Sequence, residues 1–307
     1  GHNPGQTTDR IPRSNPNTPG LQTLYTGKGP ERYPQSHLYP LVYVMPSRTR
    51  LLASLALALS LVTFTTASAD QRTLLVKPGE KIAFMGDSIT AGGVRKNGYV
   101  TLAMEALNNE GLKLTHVPAG KSGNRSKDML ARLDASVISK DPDWMLLSCG
   151  VNDVWHFTLR LGKRTFEGVP LEDYKKNITE ILAQAEAADI KVMILTSTMI
   201  GEDPGKETNK KLVPYNDFLR EIAKEKGLPL ADLSQDMLAA LKEIPDEAGK
   251  ARMFGEPKYE RNIKNKLTTD GCHMNTLGNI MMAKGILRTL GLSEVKIAAA
   301  EKRWLGQ

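Results

Sequence analysis

From residue 80 onward, short apolar runs alternate with longer stretches in which apolar side chains recur every three to four positions. The short runs predict buried strands. They are "KIAFMG" (81–86), "LKLTHVPA" (112–119), "DWMLLSCG" (143–150), "IKVMILTST" (190–198) and "LPLADL" (228–233). The helical spacing predicts helices over 97–110, 126–138, 171–188, 211–227 and 274–291. In the second, Met129, Leu130, Leu133 and Val137 share a face; in the third, Tyr174, Ile178, Ile181, Leu182 and Ala185 do so. The fourth is expected to begin near Pro214, because proline is tolerated in a first turn. Strands and helices alternating at these lengths predict parallel crossover units and a doubly wound α/β sheet. Two polar stretches with Gly and Pro, 199–210 and 244–266, interrupt the rhythm and read as long surface loops. No internal repeat and no second folded domain is visible.

The first 69 residues follow a different pattern. Residues 1–44 are rich in Pro, Gly, Asn, Thr and Arg, lack apolar periodicity and read as a disordered extension. Residues 45–69 read as a secretory signal peptide: Arg48 and Arg50 precede the apolar run Leu51 to Phe64, and Ala67-Ser68-Ala69 supplies small residues for cleavage after Ala69. The apolar run is short for a membrane span, so the mature form is expected to have none. Translation is expected to start at Met45, with 1–44 upstream of it. Residues 70–293 then form the folded domain, and 294–307 a C-terminal tail. The net charge of +7 changes this picture little. Residues 1–69 hold six Lys/Arg and two Asp/Glu, so the remainder is nearly balanced and has no dense basic block. A nucleic-acid partner is not expected. Cys149 and Cys272 fit either a disulfide, which export would permit, or two buried thiols.

Candidate chemistry gathers at the predicted strand ends. Ser88 follows the first strand in "GDSITAGG", "KSGNRS" (121–126) follows the second, "GVND" (150–153) follows the third, and "DGCH" (270–273) precedes the last helix. An open parallel sheet places its ligand at the carboxyl ends of its strands. A serine hydroxyl needs a base to become a nucleophile. His273 can take its proton, and Asp270, three residues earlier, can orient the imidazole. Acyl transfer also needs donors aimed at a developing oxyanion. The Ser88 N–H, the Gly123 N–H and the Asn152 amide are the candidates, with Gly120 as a rival to Gly123. Asp87, Arg125, Trp155 and His156 are candidate substrate contacts, and Asp153 is expected to hold its loop. His116, inside a strand, is expected to be packed. Other motifs fail: "GKS" at 120–122 has Thr115 where a P-loop needs glycine, no G-x-S-x-G surrounds Ser88, and no spacing suggests a metal site.

These four blocks resemble those of the SGNH (GDSL-type) hydrolase superfamily, in that family's order and over residues 82–290. Ile89 stands where the GDSL name has Leu. The resemblance implies a three-layer α/β/α sandwich, flavodoxin-like in its winding, and a catalytic Ser88–His273–Asp270 set. It also implies an oxyanion hole of Ser88, Gly123 and Asn152, with no cofactor. The expected function is that of a secreted serine esterase acting on short acyl esters, with acetyl groups on carbohydrate favoured. That preference rests on export and on Trp155-His156 beside Asn152. A lipid acylhydrolase of the lysophospholipase or thioesterase type is the alternative enzyme. A noncatalytic carbohydrate-binding module on the same fold is the alternative class. The expected partner is a small-molecule or carbohydrate ester.

Overall fold

The computed structural model describes residues 73–244 and 265–307. The readings of 1–44, of the segment 45–69 and of most of the loop 244–266 fall outside those residues.

Five parallel strands form the sheet: β1 (Lys81–Gly86), β2 (Thr115–Gly120), β3 (Trp144–Ser148), β4 (Lys191–Leu195) and β5 (Leu230–Ala231). Their order is β2-β1-β3-β4-β5. In register, Phe84 lies between Pro118 of β2 and Leu146 of β3, and Leu146 faces Met193 of β4. The winding reverses beside β1, since the chain first crosses to β2 and then returns to β3. Such a switch point opens a crevice at the strands' carboxyl ends.

The apolar runs become strands because both faces of the sheet are covered. Ile82, Ala83, Phe84 and Met85 are buried, as are Met145, Leu146 and Leu147 in β3 and Val192 to Leu195 in β4. One group of helices packs around α9 (Thr276–Thr289): α2 (Tyr99–Asn109), α8 (Leu233–Glu243) and α10 (Glu294–Trp304). Another group packs around α6 (Leu171–Ala187), with α3 (Ser126–Ala131) and α7 (Glu207–Lys226). The result is the three-layer α/β/α sandwich. Two further helices, α1 (Ser88–Gly93) and α5 (Val151–Trp155), are short and sit directly after β1 and β3.

Several expectations change. The helix expected over 126–138 is broken: α3 ends at Ala131, α4 covers only Leu133–Ser136, and a 3₁₀ turn covers Ile138–Lys140. The break falls at Arg132, whose φ of −116° leaves the helical region. Helix α7 begins at Glu207, well before Pro214, which sits inside it. Asn209 stabilises that early start, because its amide donates to the carbonyl of Asp203 and its oxygen accepts from Ile200 N–H. His116 packs one ring edge against Phe84, at 6.4 Å between centroids, but is otherwise exposed, on an edge strand that also carries Pro118. Proline and polar residues on an edge discourage pairing with another chain. The segment read as a tail is mostly helix α10, with Ile297 and Ala300 buried and Lys284 paired to Glu301.

Candidate active site

Ser88 is the first residue of α1, immediately after β1. The turn from strand to helix is tight because Gly86 has no side chain: a Cβ there would lie 2.0 Å from Thr90 Oγ1. Asp87 caps the helix, its Oδ1 accepting from the Ile89 N–H at 2.8 Å. Tyr99 of α2 supports α1 from behind by donating to Thr90 Oγ1. The Ser88 hydroxyl is left partly exposed at the sheet's carboxyl end.

His273 approaches from the other end of the sequence. Its Nε2 lies 2.8 Å from Ser88 Oγ. Its Nδ1 lies 2.7 Å from Asp270 Oδ2. Asp270 Oδ1 accepts from the backbone N–H groups of Cys272 and His273. Burial pushes the Asp270 carboxyl up, but the imidazole and these two N–H groups outweigh it and hold its pKa at about 2. The hydrogen bond to Asp270 in turn raises the His273 pKa above the ordinary 6.5, against a smaller opposing effect of burial. A fixed carboxylate thus orients an imidazole whose far nitrogen meets a serine hydroxyl, which is the arrangement a nucleophilic serine requires.

The segment carrying the Asp-x-x-His pair is anchored by a residue the sequence reading passed over. Glu202, in the stretch read only as a loop, accepts from the backbone N–H groups of Lys266, Leu267 and Thr268 and from the Thr268 hydroxyl. The Gly201 N–H donates to the Gly271 carbonyl alongside. Asn209 pins the Glu202 loop to the start of α7. Three consecutive N–H groups on one carboxylate form a charge-assisted anchor. No local pattern around Glu202 signals this, because its partners are backbone atoms more than sixty residues away.

The candidate oxyanion donors come from three loops. The Gly123 N–H, in a turn where Asn124 N–H bonds the Lys121 carbonyl, meets no acceptor among the described residues. The same holds for the Ser88 N–H at the start of α1. Gly120, the rival, is closed beneath α1, where a Cβ would lie 2.3 Å from Ala91 N. Asn152 is buried in α5, its amide donating to the Asn124 carbonyl at 3.0 Å and lying 3.5 Å from Asp87 Oδ2. The sharp entry to α5 uses Gly150 at φ 134°, a conformation open to glycine. Asp153 is fully buried and accepts from the Ser126 N–H and hydroxyl, tying α5 to α3. Burial raises its pKa to about 6 despite those bonds.

The four expected substrate contacts fare differently. Asp87 is 3% exposed and serves as the cap of α1, with its pKa pushed to about 6 by burial. The Arg125 guanidinium is occupied by Asp128 and the Glu167 carbonyl. His156 is buried with its ring 5.2 Å from that of Phe166, so it anchors the following loop. Trp155 is half-buried against the core. The two cysteines are both free and buried, and burial pushes both thiols up.

Comparison with known proteins agrees with this geometry. The model of the GDSL-like Lipase/Acylhydrolase family matches residues 84–279. The chain is 25% identical over 233 residues to an acetylxylan esterase of Geobacillus stearothermophilus, covering 71% of this chain and 97% of that one. It is 30% identical over 176 residues to the thioesterase 1/protease 1/lysophospholipase L1 of Escherichia coli strain K12, covering 57% of this chain and 71% of that one. A solved acetyl xylan esterase superposes with a TM-score of 0.56 at 31% identity, over 68% of this chain and 98% of that one. A solved structure of the Geobacillus stearothermophilus enzyme gives 0.57 at 24% identity, over 70% and 96%, a likeness of fold. The chain therefore belongs to the GDSL-like lipase/acylhydrolase family, the SGNH hydrolases, and is a serine carboxylic ester hydrolase.

Proposed function

We propose that this protein is an exported esterase that removes acetyl groups from carbohydrate by an acyl-enzyme mechanism. The observation that carries the mechanism is the continuous relay from Ser88 Oγ through the two nitrogens of His273 to Asp270. His273 takes the Ser88 proton as the hydroxyl oxygen attacks the ester carbonyl. The Ser88 and Gly123 N–H groups and the Asn152 amide stabilise the oxyanion. As the C–O bond breaks, His273 gives its proton to the leaving sugar oxygen, which departs as a hydroxyl, and water then attacks the acyl-serine with His273 as base to release acetate and restore Ser88. Support for acetyl and carbohydrate comes from the two acetylxylan esterases, whose lengths the chain covers almost entirely. Support for export comes from the sequence pattern of 45–69, which predicts Asp70 as the first residue of the exported protein by N-terminal sequencing.

The test is acetate release from acetylated xylooligosaccharides, beside a p-nitrophenyl ester series from acetate to palmitate. The expected result is Ser88-dependent release with turnover falling sharply beyond short acyl chains. The similarity to a thioesterase/lysophospholipase favours one other reading, a lipid acylhydrolase. Preference for the long-chain esters, with no acetate freed from the oligosaccharides, would establish that reading instead. Failure of a fluorophosphonate to label Ser88, with no turnover of any ester, would favour a binding module.

A further inference from the structure

Arg132 occupies the break between α3 and α4, and its side chain turns back beneath the candidate site. Its Nη2 donates to the Gly86 carbonyl at 3.0 Å and to the Ala119 carbonyl at 2.8 Å. Its Nε donates to Asn124 Oδ1 at 2.5 Å. Gly86 ends β1 and leads into Ser88. Ala119 lies near the end of β2, which leads into the Gly123 turn. Asn124 closes that turn, and its own carbonyl accepts the amide of Asn152. One guanidinium thus joins the supports of all three candidate oxyanion donors, the first two directly and the third through Asn124.

The backbone is consistent with that role. Residues 126–138 have helical apolar spacing, yet the helix stops at Arg132 and forgoes the bonds of a continuous turn. The guanidinium supplies what the loops need instead. The Gly86 carbonyl already accepts from the Lys121 N–H, and a charged planar donor adds a second bond to it and one to the Ala119 carbonyl from one side. Its positive charge also lies beneath a site where negative charge would develop.

We propose that Arg132 is the positioning residue that holds the oxyanion hole of this esterase in its working geometry. The inference rests on the assignment of Ser88, Gly123 and Asn152 given above. Arg132 touches no reacting atom and acts through the Gly123 turn and Asn152. Its effect should therefore fall on kcat and be shared with Asn152, since groups that act as a unit are not additive.

The experiment is a double-mutant cycle of Arg132→Met and Asn152→Ala on p-nitrophenyl acetate, with Ser88→Ala alongside. Arg132→Met is expected to lower kcat by about 30-fold, with KM within about twofold, for the loss of one preorganised support. In the Asn152→Ala background the same change should cost clearly less than in the parent, because the share that runs through Asn124 to Asn152 is already lost while the support of Gly86 and Ala119 remains. The acid limb of the pH profile should not move, because Arg132 makes no contact with His273 or Asp270. Free guanidinium should restore part of the activity of Arg132→Ala. If Arg132→Met does not fold, Arg132→Lys gives the answer: its ammonium cannot reproduce the planar fork, so kcat should fall with KM held. A parent-like kcat in either variant, or an undiminished loss in the Asn152→Ala background, overturns the proposal. Persistent turnover by Ser88→Ala would instead overturn the active-site assignment itself, so the two failures are distinct.

Discussion

In the proposed mechanism His273 must be neutral to take a proton from Ser88, and its pKa is raised by Asp270. A raised pKa keeps the imidazole protonated to higher pH. The acid limb of kcat/KM should therefore have its midpoint above 6.5, the ordinary histidine value. Asp270→Asn removes the main cause of that increase and leaves the opposing effect of burial. A pH–rate profile of this variant should show the limb moved down and kcat at neutral pH reduced by roughly 10³–10⁴-fold, the cost of a misoriented imidazole. A limb that stays in place would show that the two side chains are not coupled in solution. At this scale the convergence of Ser88, His273 and Asp270 was legible, because a serine after a strand and an Asp-x-x-His pair before the last helix are residue types that suit the proposed nucleophile, base and acid. Asp87 was misread for a physical reason. A carboxylate beside a nucleophile reads as polar and accessible, but in "GDSI" the strand-to-helix turn directs it inward to cap α1.

Among the elements, the loop after β4 anchors the segment that leads to His273. Glu202 gathers the backbone N–H groups of residues 266–268 on one carboxylate. Glu202→Ala should leave three backbone N–H groups without their acceptor and free the segment leading to His273. The expected result is a 10- to 100-fold loss of kcat/KM, roughly the penalty for misplacing a catalytic group by about 1 Å. Thermal unfolding should fall by a few degrees for about 1–3 kcal/mol of lost bonding. Unchanged kinetics in the folded variant would mean that the loop does not position His273. This anchor was invisible in the sequence because side chain-to-backbone bonds between distant loops leave no periodic trace. The same holds for the break at Arg132. Apolar spacing reports which face of 126–138 is buried, and Met129 and Leu133 are indeed buried, but it does not report where a helix yields to a side chain's tertiary bonds. Helix α8 did carry a signal, with Asp232 as its cap and Leu233 and Met237 one turn apart and buried.

At the scale of the whole molecule, the layered α/β/α arrangement followed from the alternation of apolar runs and helical spacing, since a doubly wound sheet is how such a chain buries both faces. The C-terminal helix did not follow, because α10 is largely polar and buries little beyond Ile297 and Ala300. Trp304 also packs against the core, and Lys284–Glu301, Arg288–Glu294 and Lys296–Glu110 add ion pairs to the body. Deleting residues 294–307 should lower the melting temperature, less so at high salt where the ion pairs that α10 contributes to the parent are already screened, while leaving the kcat of the folded remainder within about twofold, since α10 touches no site residue. A large loss of kcat at a temperature where the truncated protein is folded would show that the helix shapes the site. The sheet, the two helix layers and the crevice at the switch point all serve to bring His273, near the end of the chain, to Ser88, near the start of the described fold. The most direct test of that convergence is the steady-state hydrolysis of p-nitrophenyl acetate by folded Ser88→Ala beside the parent. The account predicts a loss of kcat of about 10⁴-fold or more, whereas turnover within tenfold of the parent would contradict it.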